Sequence, residues 1–210
     1  MTQHHAYLFD MDGTLVNSEP LKGKAIAMAC EEYGANIDYH IYQAVMGQNW
    51  EQVTQHFFDQ GNIQPPFDEF NVKFRAHYER LLNEQLTLNP GAREYLESLA
   101  KQSKSLALVS SAARWMVEHI LQQLELTHLF SVMICREDVQ KHKPDPEAYV
   151  SALKQLGVDA SQAIIFEDSA AGIEAGVAAG CEVIAIAHDF NGSNDFSKAK
   201  QTITDFALLM

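Results

Sequence analysis

Asp10 and Asp12 are the first residues in the sequence whose types and spacing could carry out chemistry. They stand two positions apart, at the end of an apolar run that opens into a glycine turn, in the segment FDMDGT at residues 9–14. Once the chain leaves the pleat of a strand, both carboxylates can face one pocket, where one attacks and the other handles protons. A solvated Asp/Gly turn has the same short sequence, so this segment by itself leaves both interpretations open.

A second acidic pair, Glu167 and Asp168, follows another apolar run in the segment IIFEDSAAG at residues 164–172. Hard oxygen ligands that leave room for water suit Mg²⁺ better than a dedicated calcium cage. An acidic pair ahead of a helix is also typical of a helix cap, where the negative charge stabilises the first turn. The pair therefore indicates a metal site only in combination with other residues.

A lysine and a serine could complete a site for a phosphoryl group. Lys143 stands in KHKPDP, where two prolines stiffen the loop and can hold one cation in place. A phosphoryl group in transit needs such a cation to offset its charge. Ser110 ends the run LALVSS, and its hydroxyl could donate to a phosphoryl oxygen. In isolation, Lys143 is better explained as a solvent-exposed lysine beside a proline turn, and a serine at a strand end indicates almost nothing.

The elements that must position these side chains follow an alternating pattern. Short apolar runs predict buried parallel strands at residues 6–9, 106–109, 132–135, 164–166 and 183–187. Amphipathic segments between them predict helices at residues 93–102, 116–124, 146–156 and 170–179. Alternating strands and helices favour an α/β fold with a doubly wound parallel, Rossmann-like sheet. Such sheets bind ligands at the carboxyl ends of their strands. The acids and the serine all follow predicted strands, at Asp10, Asp12, Ser110, Glu167 and Asp168.

Strand patterns disappear between residues 18 and 85, where the sequence predicts several helices separated by glycine and proline breaks. A turn at Asn89, Pro90 and Gly91 then leads back into the alternating pattern. We therefore predict a core domain of residues 1–17 and 86–210, with a helical cap domain of residues 18–85 inserted after the first strand.

Composition excludes several classes of partner. With 15 Lys+Arg against 28 Asp+Glu, the net charge of -13 disfavours nucleic acid and anionic membranes. The three cysteines are far apart and form no CxxC pair, which is typical of a reducing compartment. The first residues show no signal-peptide pattern, and no apolar stretch is long enough to span a membrane. We expect a cytoplasmic protein, as a monomer or alternatively a homodimer.

Taken together, FDMDGTLVNSEP, LALVSS, KHKPDP and IIFEDSAAG resemble the motifs of the haloacid dehalogenase superfamily, and the resemblance covers nearly the whole chain. The chain is most similar to the subfamily with a helical cap, which includes phosphoglycolate phosphatase-like and β-phosphoglucomutase-like enzymes. The resemblance implies a Mg²⁺-dependent phosphatase that acts on a small phosphorylated metabolite such as a sugar phosphate.

The resemblance also implies a role for each residue that could act on the phosphoryl group. Asp10 would attack phosphorus to form an aspartyl-phosphate, and Asp12 would protonate the leaving alcohol and then activate water. Ser110 would hydrogen-bond a phosphoryl oxygen, and Lys143 would bridge that group and Asp10. Because the dehalogenases of the superfamily lack the second aspartate, Asp12 disfavours dehalogenation.

The metal ligands are implied in the same way. Mg²⁺ would bind Asp10, Asp168 and the backbone carbonyl of Asp12. Glu167 would bind the metal either directly or through water.

The cap differs from that of β-phosphoglucomutase-like proteins. Met46 and Trp50 stand where those proteins carry basic residues, and no Lys or Arg occurs between Lys24 and Lys73. A mutase must hold a bisphosphate, which such cations would grip. We therefore expect a phosphatase, with a hexose-phosphate mutase and a non-catalytic binding protein as alternatives. Whether particular residues contact substrate stays open for Trp50, Gln48, Asn49, Lys22 and Arg114.

Overall fold

A computed structural model describes residues 4–210, which divide into two compact units. The sheet unit consists of residues 4–16 and 88–210, and the helical unit consists of Asn17–Thr87. The chain therefore leaves the sheet unit after its first strand and returns to it before the second. No helix among residues 4–210 is both long and apolar enough to cross a lipid bilayer.

A six-stranded parallel sheet forms the centre of the sheet unit, in the order β3-β2-β1-β4-β5-β6. Its strands are β1 (Ala6–Phe9), β2 (Ser105–Val109), β3 (Val132–Ile134), β4 (Ala163–Glu167), β5 (Glu182–Ile186) and β6 (Gln201–Ile203). The predicted α/β class is confirmed, and the five predicted strands are present with shifts of one residue at some ends. Strand β6 was not predicted, because this edge strand has three residues and only Ile203 is buried.

The helical unit contains α1 (Glu19–Glu31), α2 (Trp50–Gly61) and α3 (Phe67–Gln85), with a 3-10 helix at Tyr39–Ala44 between the first two. Helix α3 buries one apolar side, at Phe70, Phe74, Tyr78, Leu81 and Leu82. This spacing of three and four residues is that of an amphipathic helix. Aromatic rings pack within the unit, with centroids 4.7 Å apart for Phe58 and Phe70 and 5.4 Å apart for Phe74 and Tyr78.

Helices cover both faces of the sheet. They are α4 (Ala92–Lys101), α5 (Arg114–Gln123), α6 (Glu147–Leu156) and α7 (Ala170–Ala178). Leu8 and Ile165 face a core that includes Tyr149 of α6 and Ile173 of α7. On the other face, Phe9 and Phe166 stack with their ring centroids 4.6 Å apart, and Tyr95 of α4 packs on Phe166 at 5.7 Å. Because both faces are buried, the central strands β1 and β4 are mainly apolar, and acidic side chains follow at their carboxyl ends.

Candidate active site

The loop after β1 carries Asp10 and turns sharply at Gly13. The Asp10 backbone N–H donates to the carbonyl of Phe166 at 2.9 Å, which ties Asp10 to the end of β4. Gly13 has a φ of +75°, and a Cβ added there would overlap the Asp168 carboxylate, so only glycine fits. Asn89 closes the loop from outside, because its Nδ2 donates to the carbonyls of Gly13 at 2.6 Å and Thr14 at 2.8 Å.

Lys143 lies at the centre of the site, with its side chain 7% exposed. Its Nζ donates to Asp10 Oδ1 at 2.7 Å, to Glu167 Oε1 at 2.6 Å and to the carbonyl of Val109 at 3.0 Å. These acceptors belong to the ends of β1, β4 and β2. A single ammonium group therefore joins three strand ends through charge-assisted hydrogen bonds.

The loop that carries Lys143 is held by a carboxylate as well as by its prolines. Both oxygens of Glu147 accept backbone N–H groups at 2.9 Å, from Gln140 and Lys141. The Glu147 N–H in turn donates to Asp145 Oδ1 at 3.0 Å. These bonds close the loop onto the start of α6, which restricts the position from which Lys143 can reach Asp10.

Glu167 is fully buried and accepts hydrogen bonds on both oxygens. Its Oε1 accepts from Lys143 Nζ at 2.6 Å and from the Tyr149 hydroxyl at 2.8 Å. Its Oε2 accepts from the Asp168 N–H at 3.0 Å and from the Ser169 N–H and Oγ at 3.2 Å and 3.0 Å. A Cβ on Gly172 would overlap the Glu167 carboxylate. The Glu167 side chain can therefore pack against the first turn of α7 only because residue 172 is glycine.

Asp168 is held by the loop that follows β5. His188 Nε2 lies 3.0 Å from Asp168 Oδ2, and Asn191 Nδ2 donates to the Asp168 carbonyl at 2.9 Å. Neighbouring residues 167 and 168 are thus fixed by different partners, Glu167 by Lys143 and Tyr149, and Asp168 by His188 and Asn191.

Ser110 and Asp12 also lie buried at this edge of the sheet. The Ser110 N–H donates to the Ile134 carbonyl at 2.9 Å, and Ser110 Oγ accepts from the Ala112 N–H at 3.0 Å. A hydroxyl that accepts one hydrogen bond still has a proton to donate, so Ser110 can serve an anionic oxygen. Asp12 forms a bridge with Val16 through its backbone, which sets the geometry of the loop.

The carboxylates of Asp10, Glu167 and Asp168 each offer an oxygen, and these oxygens all lie within 4.8 Å of one another. Three carboxylates and the one ammonium of Lys143 sum to two negative charges in a buried space. Buried charge of this size needs compensation, and carboxylate oxygens are the ligands that hard divalent cations prefer. The donor set therefore fits a divalent cation such as Mg²⁺.

The pKa values agree with this charge balance. Burial raises the pKa of Asp10; Lys143 opposes the rise, whereas Glu167 and Asp168 add to it. Burial acts to lower the pKa of Lys143, but Asp10 and Glu167 outweigh it and the pKa is raised, so the ammonium stays charged. Burial and then Glu167 raise the pKa of Tyr149, which keeps its hydroxyl protonated as a donor.

Two residues of the helical unit that could contact substrate have partners within that unit. Trp50 Nε1 donates to Asn71 Oδ1 at 2.7 Å, and its ring lies 4.4 Å from that of Phe74, both on α3. Asn49 caps α2 by accepting the Gln52 N–H at 2.9 Å. These contacts favour structural roles.

The remaining candidates for substrate contact differ in their surroundings. Lys22 Nζ lies 3.2 Å from Glu19 Oε1, and Arg114 pairs with Asp138 at 2.5 Å. Gln48 is exposed. The two cations already face acidic partners, so an anionic substrate would have to compete with those carboxylates.

The sequence patterns did not indicate several residues that hold the site in place, among them Asn89, Tyr149, His188 and Asn191. Tyr149 lies within an amphipathic helix, where a buried tyrosine looks like any other core residue. His188 had a usable signal, because it follows a predicted strand in the same way as the acids do. Nothing in the local sequence indicates that the amides of Asn89 and Asn191 face backbone carbonyls.

The comparisons with known proteins agree on one family. The haloacid dehalogenase-like hydrolase family matches residues 7–186. A phosphorylated carbohydrates phosphatase from Thermotoga maritima is 32% identical over 187 residues, which cover 89% of this chain and 87% of that protein.

Solved structures show the same relationship. A predicted phosphoglycolate phosphatase from Haemophilus somnus 129pt has a TM-score of 0.90 at 27% identity, covering 100% of this chain and 97% of the other. A structure from Thermotoga maritima that is provisionally assigned as a β-phosphoglucomutase has a TM-score of 0.81 at 30% identity, covering 95% and 94%. The predicted enzyme class, a phosphoric monoester hydrolase of this superfamily, is confirmed. On its sequence, its fold and its similarity to these proteins, the chain belongs to the haloacid dehalogenase-like hydrolases.

Proposed function

We propose that the chain is a Mg²⁺-dependent phosphatase that hydrolyses a small phosphomonoester through an aspartyl-phosphate on Asp10. The observation that carries this proposal is the placement of Lys143. Its ammonium bonds Asp10 Oδ1 and Glu167 Oε1 together, beside a third buried carboxylate. This arrangement provides a nucleophile, a fixed cation and a pair of metal ligands at one edge of the sheet.

In the first step, a carboxylate oxygen of Asp10 attacks phosphorus, and the bond between phosphorus and the alcohol oxygen breaks. Asp12 gives its proton to that oxygen, which leaves as a neutral alcohol. Lys143 offsets the charge on the phosphoryl oxygens, and Ser110 donates a hydrogen bond to one of them. Both groups are fixed before substrate arrives, so little reorganisation accompanies the transfer.

In the second step, water attacks the phosphorus of the aspartyl-phosphate. Asp12, now ionised, takes a proton from the water, and the bond between phosphorus and the Asp10 oxygen breaks. Inorganic phosphate is released and Asp10 regains its carboxylate. Atoms and charges balance over the two steps, with Asp12 first giving a proton and then recovering one.

We propose that Mg²⁺ is held by Asp10, Asp168 and the backbone carbonyl of Asp12. When bound, the cation neutralises negative charge on the transferring phosphoryl group. Glu167 already accepts from five donors, which supports a contact through water rather than a direct one. Its second function is to hold Lys143 in the position from which that ammonium reaches Asp10.

The proposed substrate is a sugar phosphate or a similar phosphorylated metabolite, since a relative at 32% identity acts on phosphorylated carbohydrates. A mutase is the second candidate, supported by the likeness to the provisionally assigned β-phosphoglucomutase. The absence of Lys and Arg between Lys24 and Lys73, in the proposed cap of residues 18–85, disfavours it. The three cysteines are free and buried, which supports the proposed cytoplasmic location.

Phosphate release from a panel of substrates tests the proposal. The panel contains sugar phosphates, nucleotides, phosphoglycolate and an aryl phosphate, each with Mg²⁺ or with EDTA. We expect release that requires Mg²⁺ and that falls by about 10³-fold or more in Asp10→Asn, because the nucleophile is gone. Asp68→Asn, at an exposed position in the first turn of α3, is the matched control and should keep wild-type turnover.

Acid quenching during turnover measures whether a phosphorylated form of the protein is present. Phosphorylated protein should accumulate in the wild type and be absent in Asp10→Asn. Normal turnover in folded Asp10→Asn, or equal rates in Mg²⁺ and EDTA, would overturn the proposal. Interconversion of phosphorylated isomers that requires a bisphosphate primer, without net phosphate release, would favour the mutase.

A further inference from the structure

We propose that His188 is a positioning residue whose Nε2–H donates to Asp168 Oδ2 and holds that carboxylate in the orientation in which it binds the divalent cation. The inference rests on the proposed function, because it concerns the Asp168 carboxylate as a metal ligand. It adds to the site a residue that lies in the loop after β5, outside the motifs that define the family resemblance.

The protonation of His188 follows from its two hydrogen bonds. The Phe190 backbone N–H donates to His188 Nδ1 at 3.2 Å, so Nδ1 is the acceptor nitrogen of the ring. In a neutral imidazole the other nitrogen then carries the proton. Nε2 lies 3.0 Å from Asp168 Oδ2, which is hydrogen-bonding distance for an N–H facing a carboxylate. A nitrogen that carries a proton has no lone pair for a metal, so His188 orients a ligand and is not one itself.

The loop around His188 is fixed independently. Asn191 is buried, and its Oδ1 accepts the His188 backbone N–H at 2.9 Å. Its Nδ2 donates to the carbonyls of Ile186 at 2.8 Å and of Asp168 at 2.9 Å. One amide therefore joins the end of β5, the backbone of His188 and the backbone of Asp168. The imidazole and the carboxylate are attached to the same scaffold, which keeps their separation short.

Gly13 lies next to the His188–Asp168 hydrogen bond. A Cβ at Gly13 would overlap Asp168 Oδ2 and would lie 2.9 Å from His188 Nε2. The loop that carries the proposed nucleophile thus passes directly over the His188–Asp168 hydrogen bond. A side chain at residue 13 would therefore displace the Asp168 carboxylate from His188, and glycine leaves the space that the hydrogen-bonded pair occupies.

Direct metal binding tests this inference without depending on turnover. Mg²⁺ binding to the 210-residue chain is measured by calorimetry, and Mn²⁺ binding by electron paramagnetic resonance. His188→Ala removes the donor and should lower the affinity for both metals by about 10-fold or more, which is the usual effect of losing the hydrogen-bond partner of a metal ligand. His188→Gln supplies an amide N–H in place of Nε2–H and should recover most of that loss. His128→Ala, at an exposed position of the sheet unit, is the control and should bind as the wild type does.

The dependence of turnover on Mg²⁺ concentration is a second, independent measurement. The Mg²⁺ concentration for half-maximal rate should rise in His188→Ala, while kcat at saturating Mg²⁺ stays within about 3-fold, because Asp168 is still present. Wild-type metal affinity in His188→Ala, or equal losses in His188→Ala and His188→Gln, would overturn the inference. A wild-type enzyme that needs no metal would instead overturn the proposed function.

The ring protonation can be read in the wild type, which removes any dependence on the folding of variants. In ¹⁵N-labelled protein without metal, long-range correlation spectra in mildly alkaline buffer should show His188 with the proton on Nε2. A proton on Nδ1 would overturn the inference, since Nε2 could then not donate to Asp168.

Discussion

The ion pairs at the carboxyl ends of the strands in the sheet unit differ in exposure from the surface ion pairs of the helical unit. In the sheet unit, the ion pairs of Lys143 with Asp10 and Glu167 are buried, with side-chain exposures of 7%, 10% and 0%. In the helical unit, the pair between Lys73 and Glu32 is 32% and 41% exposed. Exposed pairs contribute little because water screens them, whereas breaking a buried pair leaves an uncompensated charge.

The difference shows where the molecule depends on exact placement. Lys143 and Glu167 have partners from several elements, as Lys143 does at three strand ends. In the helical unit, the pairs Lys73–Glu32 and Arg75–Glu79 lie on the surface, where side chains can rearrange at little cost, whereas the pair Lys22–Glu19 is largely buried. Substitutions of the buried charges at the strand ends should therefore affect catalysis strongly, and substitutions of the surface charges of the helical unit should affect it weakly.

The largest effect is expected for Lys143→Met, which keeps the length of the side chain and removes its charge. Loss of one fixed donor to the reacting group should lower kcat by about 10²- to 10³-fold. Asp10 and Glu167 also lose their common partner, which should lower the free energy of unfolding by about 3 kcal/mol.

The control for this variant is Lys141→Met, in the same loop but 73% exposed. It should keep wild-type kcat and stability. Steady-state kinetics and urea unfolding measure both quantities. Equal kcat values and equal free energies of unfolding for the two lysine variants would show that the buried ion pairs of Lys143 contribute no more than an exposed one.

A smaller effect is expected for Tyr149→Phe, which removes only the donor to Glu167 Oε1. The lost hydrogen bond should cost about 1 kcal/mol of stability. Because Glu167 then holds Lys143 less firmly, kcat should fall by about 10-fold, in line with the loss of a group that orients a catalytic residue. Tyr7→Phe, near the amino end of β1, is the control and should leave kcat unchanged. Equal kcat values for the wild type and Tyr149→Phe would show that Lys143 needs no such support.

The raised pKa of Asp10 predicts a pH-dependent difference in stability when EDTA removes metal. Between the ordinary carboxyl pKa and the raised one, the folded protein binds more protons than the unfolded chain, so its stability falls as pH rises. Asp10→Asn abolishes this loss, and each pKa unit corresponds to about 1.4 kcal/mol.

Urea unfolding in EDTA over a range of pH measures the effect. The advantage of Asp10→Asn over the wild type should be absent at low pH and should grow as pH rises through the native pKa. An advantage that does not vary with pH would contradict the prediction. Added Mg²⁺ should favour the wild type, because it binds the folded protein and offsets the excess negative charge of the carboxylates.

The sheet could be predicted from the sequence for one physical reason, which also led to the candidate acids. Buried parallel strands must be apolar, so the first polar residue after each run, such as Asp10 or Ser110, marks the functional edge. Partners that act through packing could not be predicted this way. Tyr149 reaches Glu167 from a helix, and Asn89 reaches Gly13 across 76 positions of sequence. Strand β6 was missed because three residues with one buried side chain give no periodicity.

The smallest effect on activity is expected for Trp50→Phe in the helical unit. Trp50 could contact substrate, but its indole N–H donates to Asn71 Oδ1 and its ring packs on Phe74. Phenylalanine keeps most of the ring contact and loses the hydrogen bond, so stability should fall by about 1 kcal/mol while kcat and KM stay near wild type. Asn71→Ala removes the acceptor and is the matched variant. In a double-mutant cycle, the two substitutions should cost less together than the sum of their separate costs, because they break one bond. A rise in KM for the preferred sugar phosphate in Trp50→Phe but not in Asn71→Ala would assign Trp50 to substrate binding, and the helical unit would then carry part of the specificity through this ring.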